Sequence, residues 1–385
     1  MIKRIRVRNF LSLKDVDLRL GTSNVLVGAN MAGKSNLIDC FRFLTMMVTQ
    51  GLNKAFLDRG GFQEVAWKGG EESRIFFGLT FSLIPDDSST EKDYDYEISI
   101  VGGQTGNFVV EHEKLTVASS DGIKVLIDLK NGSGEARKED GTVVFAPNGY
   151  PTRSALEFDV PGWEGSQIRA RVAAWRYYRL VPAVMKQFNA AASQSFLEEH
   201  GNNFSSWFMT LSTQHPAEFR RIRQAAGDVL PSLKEILTPP TQVATTYVMT
   251  HEEDLKRPIS IWRMSDGELC FLALLSLIFA PAEMGAPLFC VEEPENYLHP
   301  RLIETLAEVL AQRQQELGAH VAQNIITTHS PYVIDKVKID NLIFVEKKKG
   351  ASIFMHPGDK GHLKQLLAQE EVGLGDLWYS GALSN

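Results

Sequence analysis

Residues 28–35, Gly-Ala-Asn-Met-Ala-Gly-Lys-Ser, have the types and spacing of a loop that binds phosphate groups. In the pattern G-x-x-x-x-G-K-[ST], glycines let the backbone curl so that several N–H groups point at one anion. Lys34 of such a loop reaches the β- and γ-phosphates of a nucleotide, and the Ser35 hydroxyl holds Mg²⁺. The apolar run 24–27 predicts a buried strand before the loop, and residues 36–44 have helical spacing after it. Because strand, loop and helix are the context that the motif requires, an ordinary glycine-rich turn is the less favoured interpretation.

Two further apolar strands end in residues that can handle a metal ion and water. Residues 288–291 run into Glu292 and Glu293, and residues 324–328 run into His329. Carboxylates at a strand end can hold Mg²⁺, the task predicted for Glu292, and activate the attacking water, the task predicted for Glu293. His329 is a candidate for contacting the γ-phosphate or positioning the water. Taken singly, the glutamates also fit an acidic turn, and the histidine fits a structural role.

Residues 265–268, Ser-Asp-Gly-Glu, open a predicted buried helix and offer a second place for an anion. One phosphate does not need two such sites from one chain. The second site can therefore serve a nucleotide that is bound to another copy. The alternative is an ordinary helix cap, with Ser265 as the capping residue and Glu268 in the first turn.

The elements around these motifs divide the chain into three predicted parts. Residues 1–150 form an N-terminal lobe with two antiparallel strands, the phosphate loop and a meander of five or six strands. Residues 151–240 form an α-helical insertion or lid, and residues 241–385 form a C-terminal lobe that alternates strand and helix. The meander strands are predicted at 74–83, 94–100, 107–118, 123–129 and 142–146.

The composition is that of a soluble globular protein, with 44% hydrophobic and 23% charged residues. With a formal net charge of −7, the chain lacks the overall basic character typical of nucleic-acid-binding proteins. Local basic patches that could bind nucleic acid are still possible. No signal peptide and no transmembrane span are expected, so the predicted location is cytoplasmic and away from the membrane. Cys40, Cys270 and Cys290 lack paired spacing, which favours buried thiols in a reducing compartment.

The order of these motifs resembles the ABC-type ATPase heads of the RecF, SMC and OLD (overcoming-lysogenization-defect) group. Residues 292–300 look like the E-E-P-E-x-x-L-H-P string of the AAA_15/AAA_21 predicted ATPases, and residues 326–331 look like their T-H-S-P switch. The resemblance spans essentially the whole chain, including residues 374–378. It implies an α/β fold: an ABC-ATPase head with a P-loop NTPase mixed sheet, an antiparallel β-subdomain and an α-helical insertion.

The resemblance also implies ATP and Mg²⁺ as cofactors and gives roles to individual residues. Glu293 matches the catalytic carboxylate and His329 the switch histidine, while Ser265 and Gly267 match the signature that binds the γ-phosphate held by the opposite protomer. The remaining matches are Asn30, Gly33, Lys34, Ser35, Asn36 and Glu268 for the nucleotide, and Ser35, Glu292 and Gln63 for the metal. Three positions depart from the family pattern: Met31 and Asp266 stand where Gly is common, and Glu292 replaces the usual Asp.

Motif spacing narrows the class of ATPase. About 230 residues separate Ser35 from Ser265, whereas transporter subunits place the signature much closer. No sustained heptads predict the coiled coil of SMC proteins, and the roughly 55 residues after His329 are too few for the Toprim domain of OLD nucleases. The favoured hypothesis is an ATPase that dimerises or oligomerises around ATP and regulates a separate effector, a nuclease or toxin, in antiphage defence.

Two other hypotheses stay open. A RecF-like DNA-repair ATPase would bind DNA directly through a basic surface, for which the arginines between 169 and 179 and at 220, 221 and 223 are candidates. Solvated helix faces are the alternative for those arginines. The third hypothesis is a scaffold that binds ATP and barely hydrolyses it, against which Glu293 argues.

Overall fold

The computed structural model describes residues 1–70, 73–85, 90–103, 107–120, 122–149, 151–281, 284–317 and 322–357. These residues form two compact units, one of residues 1–175 and 343–357 and the other of residues 176–342. Residues 374–378, which carry part of the family resemblance, lie outside the described residues.

Strands and helices are numbered here in chain order. The strands are β1 (Ile2–Phe10), β2 (Leu13–Arg19), β3 (Ser23–Val27), β4 (Arg74–Leu83), β5 (Lys92–Gly102), β6 (Phe108–Ser119), β7 (Gly122–Lys130), β8 (Ser133–Arg137), β9 (Val143–Phe145), β10 (Arg176–Tyr178), β11 (Asn189–Ala190), β12 (Leu233–Leu237), β13 (Thr245–Thr246), β14 (Met249–Glu252), β15 (Ile259–Ser260), β16 (Leu288–Glu292), β17 (Gln323–Thr328), β18 (Leu342–Lys348) and β19 (Ala351–Met355). The helices are α1 (Lys34–Gln50), α2 (Leu52–Leu57), α3 (Phe62–Val65), α4 (Glu164–Ala173), α5 (Pro182–Met185), α6 (Phe204–Gln214), α7 (Pro216–Val229), α8 (Asp266–Phe279), α9 (Pro300–Leu317) and α10 (Pro331–Lys336). None of the described helices is both long and apolar enough to cross a membrane.

The first unit is built on an antiparallel sheet with the strand order β2-β1-β4-β5-β6-β7-β8-β9. Side chains along β5 alternate between buried and less buried positions, as expected for a strand with one face on the core. The predicted strand pair before the phosphate loop and the predicted meander after the first helix are confirmed. Strand β8 was not predicted, because Ser-Gly-Glu-Ala-Arg contains no β-branched or aromatic residue.

A buried carboxylate ties this sheet to the chain that follows it. Glu113 on β6 accepts hydrogen bonds from the hydroxyls of Tyr96 (2.9 Å) and Ser154 (2.6 Å) and from the N–H of Ala155 (2.8 Å). Burial raises the pKa of Glu113, because desolvation penalises the charged form. Glu113 therefore anchors residues 154 and 155 to the meander.

The phosphate loop follows β3, which is buried along its whole length and lies beside β18. β18 in turn pairs with β19 in an antiparallel hairpin. Helix α1 leaves the loop and packs on the large sheet, where Phe43 contacts the rings of Phe10 and Phe77. The loop is thus fixed at both ends by buried elements.

The second unit contains three parallel strands, with β16 between β10 and β17. The register pairs Glu292 with Thr327, so the carboxyl ends of β16 and β17 lie together. Helices α6 and α7 lie in the stretch that was predicted to be helical. Residues 176–178, 189–190 and 233–237 of that stretch instead form β10, β11 and β12. In β10, Arg-Tyr-Tyr fits a strand and can pair with β16.

Candidate functional site

The phosphate loop contains two residues in the left-handed region. Met31 has a φ of 66° and Gly33 a φ of 109°, and α1 begins directly afterwards at Lys34. These turns bend the backbone so that the N-terminus of α1 closes the loop. Asn30 and Ser35 are exposed, so their polar groups are accessible to a ligand.

Lys34 is only 5% exposed, and its ammonium group lies against the loop itself. Nζ donates to the carbonyl oxygen of Gly28 at 2.6 Å and to that of Ala29 at 3.2 Å. This position adds a full positive charge to the N–H groups that the loop and the start of α1 offer to an anion.

Two buried serines that the sequence did not single out support the loop. Oγ of Ser352, on β19, donates to the carbonyl oxygen of Ala32 at 2.6 Å and lies 2.6 Å from Oγ of Ser12. Ser12 also accepts a hydrogen bond from the side-chain amide of Asn36 at 2.6 Å. Asn36, a predicted nucleotide ligand, is therefore part of this support. No local pattern could have revealed the serine pair, since about 340 residues separate the two serines.

Replacing Gly33 with Ala is expected to damage the loop. A Cβ at Gly33 would lie 1.9 Å from Oγ of Ser352 and 2.8 Å from Oγ of Ser12, in addition to the strain of its positive φ. Overpacking costs about 1–3 kcal/mol and a left-handed non-glycine residue about 1–2 kcal/mol. We expect the free energy of unfolding, measured by urea denaturation, to fall by about 3 kcal/mol and ATP affinity to fall with it.

Gly122 offers a matched control for that substitution. Its φ is 112°, and a Cβ there would meet nothing within 4 Å. Gly122→Ala should cost only the backbone strain, about 1 kcal/mol, and leave ATP affinity unchanged. Equal losses of stability in the two variants would show that the serine pair does not constrain the loop.

Gln63, a predicted metal ligand, lies on the short helix α3 in the same unit as the loop. It is exposed, and its side-chain amide donates to the carbonyl oxygen of Gly103 at 2.9 Å. This bond holds the Gln63 side chain on the meander side of α3.

The two adjacent glutamates lie where β16 ends. Glu293 has left-handed backbone angles, φ 45° and ψ 59°, which turn the chain sharply after Glu292. Its N–H donates to the carbonyl oxygen of Thr327 at 3.0 Å and lies 3.2 Å from Oγ1 of the same residue. Its Oε2 accepts a hydrogen bond from the amide of Asn296 at 3.2 Å. Such a conformation costs about 1–3 kcal/mol and is typical of functional sites.

His329 follows the neighbouring strand β17 and is held by a third glutamate of the same string. Glu295 Oε1 accepts hydrogen bonds from the Thr328 hydroxyl at 2.7 Å and from the His329 backbone N–H at 2.8 Å. Nδ1 of His329 lies 3.3 Å from that oxygen. The structure thus brings Glu292, Glu293 and His329 to one edge of the parallel strands.

The signature segment begins helix α8. Oγ of Ser265 accepts a hydrogen bond from the Glu268 N–H at 3.1 Å, so Ser265 is the helix cap. Burial raises the pKa of Glu268. A Cβ at Gly267 would lie 2.8 Å from the carbonyl oxygen of Tyr297, which explains why glycine is needed there. Asp266, which departs from the family pattern, pairs with Lys186 at 2.6 Å.

A cavity of about 320 Å³ opens beside the two strand-end glutamates within the second unit. Its polar lining includes Glu292, Glu293, Asn296, Arg179 and His200. Ligands and water can therefore reach both carboxylates. Cys270 also lines the cavity, and burial raises the pKa of its thiol to about 12, so it stays protonated.

The candidate DNA-binding arginines fall into two groups. Arg169 pairs with Asp159 at 3.5 Å, and the Arg176 guanidinium lies over the ring of Phe196 at 4.3 Å. Arg171 and Arg179 of the same group are exposed, as are Arg220, Arg221 and Arg223 on α7. Exposed arginines are therefore present in both candidate groups.

Comparisons with known proteins indicate a family for this chain. Residues 23–335 match the family AAA_21, whose description reads "AAA domain, putative AbiEii toxin, Type IV TA system". A stretch of 44 residues is 50% identical to a DNA double-strand break repair Rad50 ATPase of Thermoplasma volcanium. That match covers 11% of this chain and only 5% of the length of the Rad50 ATPase.

Solved SMC head domains share the fold at low sequence identity. One, a SmcHead bound to the C-winged helix domain of ScpA, aligns with a TM-score of 0.56 at 13% identity over 92% of this chain and 96% of that one. Another, an Smc head with an extended coiled coil bound to the C-terminal domain of ScpA, derived from Pyrococcus furiosus, gives 0.54 at 12% identity over 95% and 99%.

Proposed function

Because the chain belongs to the AAA_21 family and is an ATPase with the fold of an ABC-type head, we propose that it binds ATP with Mg²⁺ at residues 28–35 and hydrolyses it through Glu293. The observation that carries this proposal is the loop geometry. Left-handed Gly33 leads directly into α1, and the Lys34 ammonium is already held at the loop. A loop of this kind suits the β- and γ-phosphates of a nucleotide.

Mg²⁺ would be held by Ser35, Glu292 and Gln63. These residues supply hydroxyl, carboxylate and amide oxygens, the hard donors that Mg²⁺ prefers, and the exposure of Ser35 leaves its hydroxyl accessible. When bound, the ion neutralises charge on the β- and γ-phosphates. Glu293 takes the proton of the attacking water, and His329 contacts the γ-phosphate.

In our proposal two copies enclose each ATP. The phosphate loop of one copy holds the nucleotide, while the start of α8 in the other copy meets the γ-phosphate through Ser265 and Gly267. Ser265 is exposed, which supports a role towards a second chain. Hydrolysis removes the γ-phosphate and releases the pair.

ATP hydrolysis and the pairing of two copies around ATP can both be tested with the purified protein. We expect phosphate release from MgATP, and we expect sedimentation velocity to show dimers or larger species with non-hydrolysed ATP and monomers with ADP. An absence of phosphate release would contradict the proposed enzyme. Turnover by a species that stays monomeric at all ATP concentrations would contradict the two-copy site.

We also propose a biological role for this ATPase. The family description links the AAA domain with a putative toxin of a toxin–antitoxin system, which supports a role in such a system. Within that role, we propose that the ATPase regulates a separate nuclease or toxin in cytoplasmic antiphage defence. The second candidate is a DNA-repair ATPase that touches DNA directly. It is supported by the exposed arginines of α7 and by the Rad50 match.

A further inference from the structure

We propose that Glu295 is a positioning residue that holds the His329 ring so that Nε2 is the nitrogen presented to ATP. This inference rests on the proposed function, in which His329 contacts the γ-phosphate. Glu295 belongs to the same string as Glu292 and Glu293, and the proposed hydrolysis does not use it directly. In the structure, Glu295 lies against His329, the switch histidine of the T-H-S-P string.

Three groups of the switch segment converge on one oxygen of Glu295. The Thr328 hydroxyl and the His329 backbone N–H donate to Oε1 at 2.7 Å and 2.8 Å, and Nδ1 of His329 lies 3.3 Å away. Oγ1 of Thr328 also accepts a hydrogen bond from the Ser330 N–H at 3.0 Å. Glu295 therefore holds residues 328 and 329 directly, and the Thr328 hydroxyl links Ser330 to the same cluster.

The burial of Glu295 indicates that its charge matters. Its side chain is only 8% exposed, whereas the His329 side chain is 46% exposed. Among the described residues, Oε2 of Glu295 is buried without a hydrogen-bond partner. Burying a carboxylate costs free energy, and a neutral glutamine could satisfy the same two donors. A negative charge beside Nδ1 is what the carboxylate adds.

The negative charge of Glu295 determines which nitrogen of the His329 ring faces the nucleotide. The negative charge of Glu295, 3.3 Å from Nδ1, favours the tautomer that carries its proton on that nitrogen. Nε2 is then the nitrogen that faces the nucleotide: in the neutral ring it accepts a hydrogen bond from water, and in the imidazolium it donates to a γ-phosphate oxygen. Since Glu293 is bonded to Thr327 of the same strand, Glu293 and His329 are held together as one assembly.

Glu295→Gln is the decisive variant, because it keeps the shape and the acceptor oxygen while removing the charge. We expect kcat for ATP hydrolysis to fall about 10- to 100-fold with the KM for ATP within about 3-fold, since misorientation of a reacting group costs rate rather than affinity. Glu295→Asp, which keeps the charge, should retain more activity than Glu295→Gln. In ¹⁵N NMR spectra the His329 signals, assigned by comparison with His329→Gln, should show a protonated Nδ1 that is lost in Glu295→Gln.

The control is Glu308→Gln on α9, an exposed glutamate 3.4 Å from Lys336, which should leave kcat unchanged. In a His329→Gln background, Glu295→Gln should cause no further loss, because both changes act on one group. A wild-type kcat in Glu295→Gln, or a fully additive loss in the double variant, would overturn the positioning role alone. If His329→Gln itself hydrolyses ATP normally, the proposed function of His329 fails and this inference fails with it.

Discussion

Glu293→Gln is expected to lower the rate of ATP hydrolysis by about 10²- to 10⁴-fold while ATP binding persists. Removal of a general base typically costs this factor, and an amide cannot accept the proton of the attacking water. The substitution is isosteric, so the left-handed turn after Glu292 and the hydrogen bond from Asn296 are retained. Single-turnover phosphate release measures the hydrolysis step, and an equilibrium titration with ATP measures binding, so the two effects can be separated.

Glu253→Gln is a suitable control, because Glu253 is exposed in the turn after β14. Its turnover should equal that of the wild type. If Glu293→Gln and the wild type share a rate that is barely measurable, the scaffold hypothesis, in which ATP is bound and barely hydrolysed, is favoured. If they share a high rate, another group activates the water and the role proposed for Glu293 is wrong.

The same variant can identify the partner, because an ATP-bound pair that does not hydrolyse should accumulate. Glu293→Gln isolated from its native cells with MgATP, with and without nuclease treatment, can be weighed by native mass spectrometry. A stoichiometric protein that survives nuclease treatment supports the effector hypothesis. A complex that contains only DNA, or that loses its companions with nuclease, supports the DNA-repair ATPase.

Local sequence patterns were enough to predict the strands and loops that carry the motifs. β3, β16 and β17 are short, and each contains consecutive apolar residues (25–27, 288–291 and 325–326), so their positions and the polar residues that follow them could be predicted. The meander was predictable for the same reason, since its strands alternate with a period of two. β8 and β10 were not predicted, because pairing with a neighbouring strand determines them more than their own residues do.

The residues that support the site depend on contacts that no local pattern encodes. Ser12 and Ser352 meet only after both hairpins have formed, and Glu295 meets His329 only when β16 and β17 pair in register. Lys186, which neutralises Asp266, precedes it by 80 residues. The motif reveals which residues can perform the chemistry, whereas the fold determines which residues hold them in place.

Lys34→Ala is expected to weaken ATP binding by about 100-fold. Charge-assisted hydrogen bonds are worth about 1.5–3 kcal/mol each, and Lys34 supplies the ammonium that lies at the phosphate loop. Without ATP the variant should remain folded. The substitution removes the donor Nζ from the carbonyl oxygens of Gly28 and Ala29. Ala29 is exposed, so water can hydrogen-bond to the loop there instead.

Thermal unfolding with and without MgATP measures the effect, because a ligand that binds only the native state stabilises it by RT ln(1 + [L]/Kd). ATP should raise the midpoint of the wild type and have almost no effect on Lys34→Ala. Lys54→Ala is the control: Lys54 lies on α2, where it pairs with Asp58, and this variant should respond to ATP as the wild type does. If Lys34→Ala is stabilised by ATP as strongly as the wild type, then residues 28–35 are not the nucleotide site. In that case the catalytic roles proposed for Glu293 and His329 lose their basis, because both depend on a γ-phosphate held by this loop.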